Sequence, residues 1–130
     1  MFDSLTHGED LFEILIEGAN PYADGPLTEG ERERLQAAGL APEAVQALVI
    51  GRVVQGGRGV WALGASEWVL LGQRYKSSVE RVARSEFSHI ECETGRYGQT
   101  LRLQTRQGRW AMYAVDADRA AALVQQLRQA

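Results

Sequence analysis

The stretch that decides the fold runs from residue 59 to residue 71 and reads GVWALGASEWVLL. It contains an apolar run, a short turn of small residues and a second apolar run, a pattern typical of a β-hairpin. A second stretch of the same kind runs from residue 100 to residue 113 and reads TLRLQTRQGRWAMY. Together they hold all three tryptophans of the chain, so we expect these two hairpins to form the centre of a β core.

Apolar residues alternate with polar ones on either side of these hairpins, and glycines separate the runs. This pattern predicts seven strands in succession, at residues 52–55, 60–63, 67–71, 79–83, 90–94, 100–105 and 109–115. Because the connections are short, neighbouring strands should pair antiparallel as a meander. Seven such strands favour a barrel or an orthogonal sandwich over a flat open sheet.

Helical spacing returns before and after the strands. Asp116 can cap a final helix, whose apolar stripe should lie on the β core and consists of Ala120, Leu123, Val124 and Leu127. Two or three helices are predicted at the N-terminus. The first has an apolar stripe at helical spacing, formed by Leu11, Phe12, Leu15 and Ile16.

The later N-terminal helices are predicted from their starts. Thr28 and Glu31 have the spacing of a capping box, which would open a helix over residues 29–38. Pro42 suits the first position of a further helix over residues 42–49. The expected fold class is therefore α+β, with a helical segment at residues 1–44 that packs on or extends a β domain at residues 45–130. A chain of this size needs no metal or disulfide to fold.

Several pieces of residues 45–130 carry a family resemblance. They are the 59–71 hairpin, FSHIECE at 87–93, GRYGQTLRL at 95–103, Gly108 and the final helix at 116–127. In this layout the chain resembles the bacterial pleckstrin-homology-like (PH-like) domains. The resemblance implies a PH-like β-barrel or orthogonal sandwich capped by the C-terminal helix. Family members often carry Thr-Asp or Thr-Asn followed by Arg in the turn that here reads Gly64-Ala65-Ser66-Glu67, so this chain lacks that arginine.

The family resemblance also bears on function. Such domains are similar to phosphoinositide- and protein-binding modules, and many bacterial members look like ring or dimer formers. A shared fold does not by itself assign a function.

Charge is distributed unevenly along the chain. The formal net charge is −3, but residues 1–50 hold ten acidic residues and two arginines, and residues 51–130 hold seven acidic residues and twelve basic ones. The two regions could attract each other within or between molecules, or be ordinary solvated surfaces. Residues 31–57 also mimic a winged helix, but the would-be recognition helix at 42–49 has no basic residue. We therefore predict no nucleic-acid binding.

Catalytic and metal chemistry find little support in the sequence. His89 and Cys92 are three residues apart, which places them on opposite faces of a strand. Cys92 lies between Glu91 and Glu93, whose charges should raise the pKa of the thiol. No glycine-rich loop carries the lysine of a nucleotide site. We predict no catalytic residues, no metal and no cofactor, and hence no enzyme.

Basic residues in two loops are the candidate ligand site. Arg52 and Arg58 flank the first turn, and Arg74 and Lys76 lie in the loop after the third strand. The four could line one rim and hold an anionic headgroup or a phosphorylated partner, or form a solvated rim. A separate group, Arg102, Arg106 and Arg109, is expected to pair across strands with Glu91 and Glu93.

The favoured function at this stage is a non-enzymatic interaction or assembly module that binds itself or another protein. The apolar stripe Leu11, Phe12, Leu15 and Ile16 would supply the contact of a homo-oligomer. The alternative is peripheral binding of anionic lipid or a small anion through the four rim residues. The single cysteine fits a reducing compartment, and no apolar run suggests a signal peptide or a transmembrane segment. The expected location is therefore cytoplasmic.

Overall fold

The computed structural model describes residues 27–53 and 57–129. The helices are α1 (Glu29–Ala37) and α2 (Ala117–Gln129), and short 3-10 turns lie at Pro42–Ala44 and Arg84–Glu86. The strands are β1 (Ala47–Arg52), β2 (Arg58–Leu63), β3 (Glu67–Leu71), β4 (Val79–Ala83), β5 (Phe87–Thr94), β6 (Gln99–Thr105) and β7 (Gly108–Val115). The predicted first helix, with Leu11 to Ile16, lies outside the described residues.

The strands form one seven-stranded antiparallel sheet in the order β4-β3-β2-β1-β7-β6-β5. Consecutive strands pair within each half of the sheet, from β1 to β4 and from β5 to β7. β1 joins the halves by pairing with β7, where Arg52 lies opposite Tyr113. The expected α+β class, with seven antiparallel strands and a C-terminal helix, is confirmed.

Both faces of the central strands are buried, as their two-sided apolar pattern indicates. On one face, Trp61, Leu63 and Trp68 pack with β6, β7 and Leu123 of α2. On the opposite face, the residues of β1 to β3 are covered by α1 and the segment after it, through Leu35, Ala38 and Leu40. The helix that contains the capping box therefore packs on the sheet of its own chain.

The prediction of a helix at residues 42–49 is wrong. Only Pro42–Ala44 forms a short 3-10 turn, and the strand predicted to begin at residue 52 begins at Ala47, since β1 covers Ala47–Arg52. Short apolar runs can occur in either a helix or a strand, and here the pairing of β1 with β2 determines that the segment is a strand. Ala47 and Val49 lie opposite Leu63 and Trp61 of β2 and are buried there, which a helix would not allow.

Close approach of β1 and β7 requires glycine at position 51. A Cβ atom on Gly51 would lie 2.5 Å from the Tyr113 carbonyl oxygen and 2.8 Å from the Val115 side chain.

The winged-helix alternative is also excluded, because no recognition helix precedes the β1–β2 hairpin. Across the described residues, no helix combines the length and apolar character that crossing a membrane requires.

Candidate functional site

The four predicted rim residues lie around one cleft of about 470 Å³, which we call the basic cleft. It is bounded by the facing ends of β1 and β2, the loop between β3 and β4, and the first turns of α1. Among its described lining residues are five cationic side chains and a single carboxylate. These are Arg34, Arg52, Arg58, Arg74 and Lys76, with Glu31 as the carboxylate.

The β1–β2 hairpin sets the floor of the basic cleft. Arg52 ends β1 and Arg58 begins β2, and the two are directly opposite in the antiparallel register. Residues opposite each other project from the same face of a sheet, so both guanidinium groups enter the cleft. Like charges in such positions repel, and this arrangement concentrates positive charge at one end of the sheet.

The loop between β3 and β4 forms one wall and is held close to Arg58. Gly72 has φ +73°, and a Cβ atom there would lie 2.5 Å from the Arg58 carbonyl oxygen, so glycine is needed at this approach. The Gly72 N–H donates to the Ser78 carbonyl at 2.9 Å, and the Arg74 N–H donates to the Ser78 hydroxyl at 3.2 Å. These bonds close the loop and place Arg74, Tyr75 and Lys76 at the cleft mouth.

Glu31 forms the opposite wall and pairs with Arg58 as a two-pronged fork. The Arg58 Nε donates to Oε2 at 2.8 Å and a terminal nitrogen donates to Oε1 at 3.0 Å. Oε1 also accepts the Thr28 N–H at 2.9 Å, which completes the predicted capping box. Burial raises the pKa of Glu31, but the bonds from Arg58 and Thr28 outweigh it and leave the pKa below its ordinary value. Glu31 is therefore a charged carboxylate inside the cleft.

Arg52 is the most deeply placed cation of the cleft, with 6% of its surface exposed. Burial lowers its pKa, and the nearby charge of Arg58 lowers it further. Both causes mean that the positive charge is less favourable here than in water. A negative charge brought into the cleft would offset the repulsion between the two guanidinium groups.

The remaining cations connect the walls of the cleft. Arg34 donates from a terminal nitrogen to the Lys76 carbonyl at 3.0 Å, which ties α1 to the β3–β4 loop. Arg74 pairs with Glu80 at 2.7 Å, yet 73% of its side chain is exposed. The floor is therefore fixed and buried, whereas the mouth carries solvated charges that can reorient toward a ligand.

Sequence reasoning found four of the cleft residues and missed Glu31 and Arg34 as members. Both lie on α1, three residues apart, and therefore share a helix face. The capping box located Glu31 correctly but gave it only a local role. Its pairing with Arg58, 27 residues away, depends on how α1 crosses the sheet, which no local pattern reports.

The second group of arginines predicted from the sequence, Arg102, Arg106 and Arg109, belongs to the β5–β7 half of the sheet. Arg102 pairs with Glu93 at 3.0 Å, as predicted, but Arg106 lies 4.0 Å from Glu86 instead of pairing with Glu91 or Glu93. Arg109 lines a second cleft of about 390 Å³ that also contains Arg102 and Glu91. Its lining has two arginines and one glutamate, a smaller excess of positive charge than in the basic cleft.

Cys92 and His89 do not form a site together. The Cys92 thiol donates to the Gln99 side-chain oxygen at 3.2 Å, and His89 lies 3.4 Å from Glu91. The pKa of the thiol is raised, in the predicted direction, but the cause is burial and not the flanking carboxylates. Over residues 27–53 and 57–129, no three His, Cys, Asp or Glu side chains cluster as metal ligands would.

No protein-family model, curated protein or solved structure matches this chain. The fold and the basic cleft are therefore the observations that bear on the class of protein.

The predicted interface residues Leu11, Phe12, Leu15 and Ile16 lie outside the described residues, so the structure does not place them.

Proposed function

We propose that the protein is a non-enzymatic binding module that takes a phosphate-bearing anion in the basic cleft. The observation that carries this proposal is the convergence of five cations and one carboxylate on a single cleft. This puts anion binding ahead of the assembly function that the sequence favoured. The strand order and the C-terminal helix also support the PH-like assignment, which we keep as part of the proposal.

The chemistry of the cleft suits phosphate in particular. A guanidinium presents paired N–H donors that match two oxygens of a phosphate or carboxylate. Arg52 and Arg58 bring two such groups side by side on the cleft floor. Because Arg52 is buried, salt screens its charge less than it screens the charge of an exposed arginine. The net charge of the chain is −3, so the attraction comes from this local cluster and not from the protein as a whole.

The phosphate can belong to a soluble compound or to a lipid headgroup. Tyr75 has 66% of its surface exposed and lies between Arg74 and Lys76 at the cleft mouth. Aromatic side chains with a polar tip favour the interface of a membrane with water, and basic residues favour anionic lipid. Either source would place its phosphate between the same guanidinium groups.

Binding can be tested with pyrophosphate by calorimetry and with vesicles by sedimentation. One vesicle preparation contains phosphatidylcholine alone and the other also contains phosphatidylserine. The test variant is Arg74→Ala with Lys76→Ala, because both side chains are exposed and their removal leaves the Glu31–Arg58 pair intact. The control is Arg106→Ala with Arg109→Ala, which removes two exposed charges elsewhere.

We expect the test variant to bind the probe about tenfold more weakly, since two solvent-exposed ionic contacts are lost and each contributes less than about 1 kcal/mol. The control should bind like the unmodified protein. Pyrophosphate binding with no vesicle binding assigns a soluble ligand, and binding that requires phosphatidylserine assigns a membrane surface. Equal losses in both variants would show that general charge, and not this cleft, attracts the anion.

Assembly remains a second proposal, with the apolar stripe Leu11, Phe12, Leu15 and Ile16 as its contact. Deletion of residues 1–40 is a poor test because it would remove Leu35 and Leu40 from the core. Leu11→Ser with Leu15→Ser keeps α1 in place. Light scattering should show an oligomer for the unmodified chain and a smaller species for the variant, and a monomer in both rules assembly out. A cytoplasmic location also remains a prediction, which fractionation of the source cell would test.

A further inference from the structure

Within the basic cleft, the chain supplies its own anion. Both carboxylate oxygens of Glu31 are bonded to Arg58, in the geometry that a phosphate would adopt on the same guanidinium. We propose that Glu31 is a built-in competitor, so that a phosphate-bearing ligand gains Arg58 by displacing this carboxylate. The inference rests on the proposed function and concerns how the same site selects its ligand.

The burial of the pair makes the competition significant. Only 19% of the Arg58 side chain and 6% of the Glu31 side chain are exposed. The fork between Arg81 and Glu67 provides a comparison, because its shortest bond is also 2.8 Å but 57% and 25% of the side chains are exposed. Solvent weakens an exposed pair, whereas a ligand at Arg58 must replace an interaction that water screens less.

Glu31 also has a second hydrogen-bond partner, which it can keep when a ligand displaces it from Arg58. Its Oε1 accepts the Thr28 N–H of the capping box, and that bond lies within α1. Thr28 also caps the helix through its own hydroxyl, which accepts the Glu31 N–H at 3.1 Å. Loss of the fork therefore leaves the helix start supported, and α1 need not unfold for Arg58 to change partner.

This arrangement sets a threshold for the ligand. A carboxylate ligand offers Arg58 nothing more than Glu31 already provides, and it must also enter from water. A phosphate monoester or pyrophosphate carries more than one negative charge and can contact Arg52 or the cations of the mouth at the same time. We therefore infer that Glu31 excludes simple monocarboxylates and admits multiply charged phosphates.

The decisive variant is Glu31→Gln. Glutamine is also accepted at this position of a capping box, so the helix start is kept while the competing charge is removed. The matched control is Glu33→Gln, which makes the same change of net charge at an exposed position of the same helix, outside the cleft. Calorimetry with pyrophosphate and with acetate, at fixed ionic strength, measures the effect.

We expect Glu31→Gln to bind pyrophosphate about tenfold more tightly, because one charge-assisted pair no longer opposes the ligand. Acetate binding should become measurable only in this variant, and Glu33→Gln should resemble the unmodified protein. If the unmodified protein binds and Glu31→Gln binds equally or more weakly, Glu31 orients Arg58 and the competitor role is refuted. If no variant binds pyrophosphate or vesicles, the anion-binding function itself fails and the competitor role fails with it.

A measurement on the unmodified protein covers the case in which Glu31→Gln does not fold. The Nε–H resonance of Arg58 should move during a pyrophosphate titration, because its acceptor changes from Glu31 to the ligand. The Nε–H of Arg81, which donates to Glu67 at 3.2 Å outside the cleft, serves as the internal reference and should stay in place. Pyrophosphate binding with an unmoved Arg58 resonance would contradict displacement.

Discussion

Leu35 is the residue on which the docking of α1 depends. Its side chain has no exposed surface and packs with the apolar face formed by β1 to β3. Leu35→Ala removes most of that side chain and leaves a cavity, which costs about 2–4 kcal/mol in the free energy of unfolding. The upper part of this range applies if the helix cannot move inward, and the tie from Arg34 to the Lys76 carbonyl limits such movement.

Urea unfolding followed by tryptophan fluorescence measures this loss. The matched control is Gln36→Ala, a substitution at an exposed neighbouring position of α1. It should change stability by less than about 0.5 kcal/mol. Because α1 also holds Glu31 against Arg58 in the basic cleft, Leu35→Ala should loosen this competing pair and strengthen pyrophosphate binding under conditions where the protein remains folded.

The result that would refute this reasoning is equal stability of Leu35→Ala and Gln36→Ala. It would mean that α1 contributes little packing to the sheet in solution. The wall of the cleft that contains Glu31 would then not be held in place. A loss of stability with unchanged pyrophosphate binding would instead separate the helix from the ligand site.

Three further predictions follow from single groups. Because the pKa of Glu31 is lowered in the folded protein, its contribution to the free energy of unfolding is complete above a pH of about 4.5, its ordinary pKa, and is lost as the pH falls through the folded-state pKa. The free energy of unfolding of Glu31→Gln should therefore decrease less steeply with falling pH than that of the unmodified protein. Gly72→Ala should lower stability by about 1–3 kcal/mol in thermal or urea unfolding, because φ is +73° and the new Cβ would meet the Arg58 carbonyl; an unchanged midpoint would contradict the described loop. Burial raises the pKa of the Cys92 thiol, so iodoacetamide should modify it more slowly near neutral pH than it modifies a cysteine peptide, and faster modification would indicate an activated thiolate.

Local patterns predicted the parts of the fold that local physics controls. The capping box at Thr28 and Glu31 starts α1 as expected, because its bonds join residues three apart. The apolar runs of β2 and β3 and the alternation in β6 give strands close to the predicted ranges. The prediction of a helix at residues 42–49 is wrong because Val45, Leu48 and Val49 have helical spacing, whereas pairing with β2 places residues from Ala47 onward in a strand.

The basic cleft shows the same division between local and long-range information. Arg52 and Arg58 flank one hairpin turn, so their proximity follows from the turn itself. The addition of Arg74 and Lys76 required the neighbouring arrangement of β2 and β3, which a meander predicts. Glu31 could not be assigned, because its contact with Arg58 depends on the path of α1 across a sheet face.

The pairing of Arg52 with Tyr113 joins the two halves of the sheet, and the same residue supplies the deepest charge of the cleft. A substitution of Arg52 would therefore affect both the contact between the halves of the sheet and the charge of the cleft. The cleft residues of the β3–β4 loop and α1 lie outside the sheet, so substitutions there do not touch the contact between its two halves. Redesign of ligand preference should therefore keep the floor unchanged and vary the two walls, with Glu31 on one side and residues 74–76 on the other.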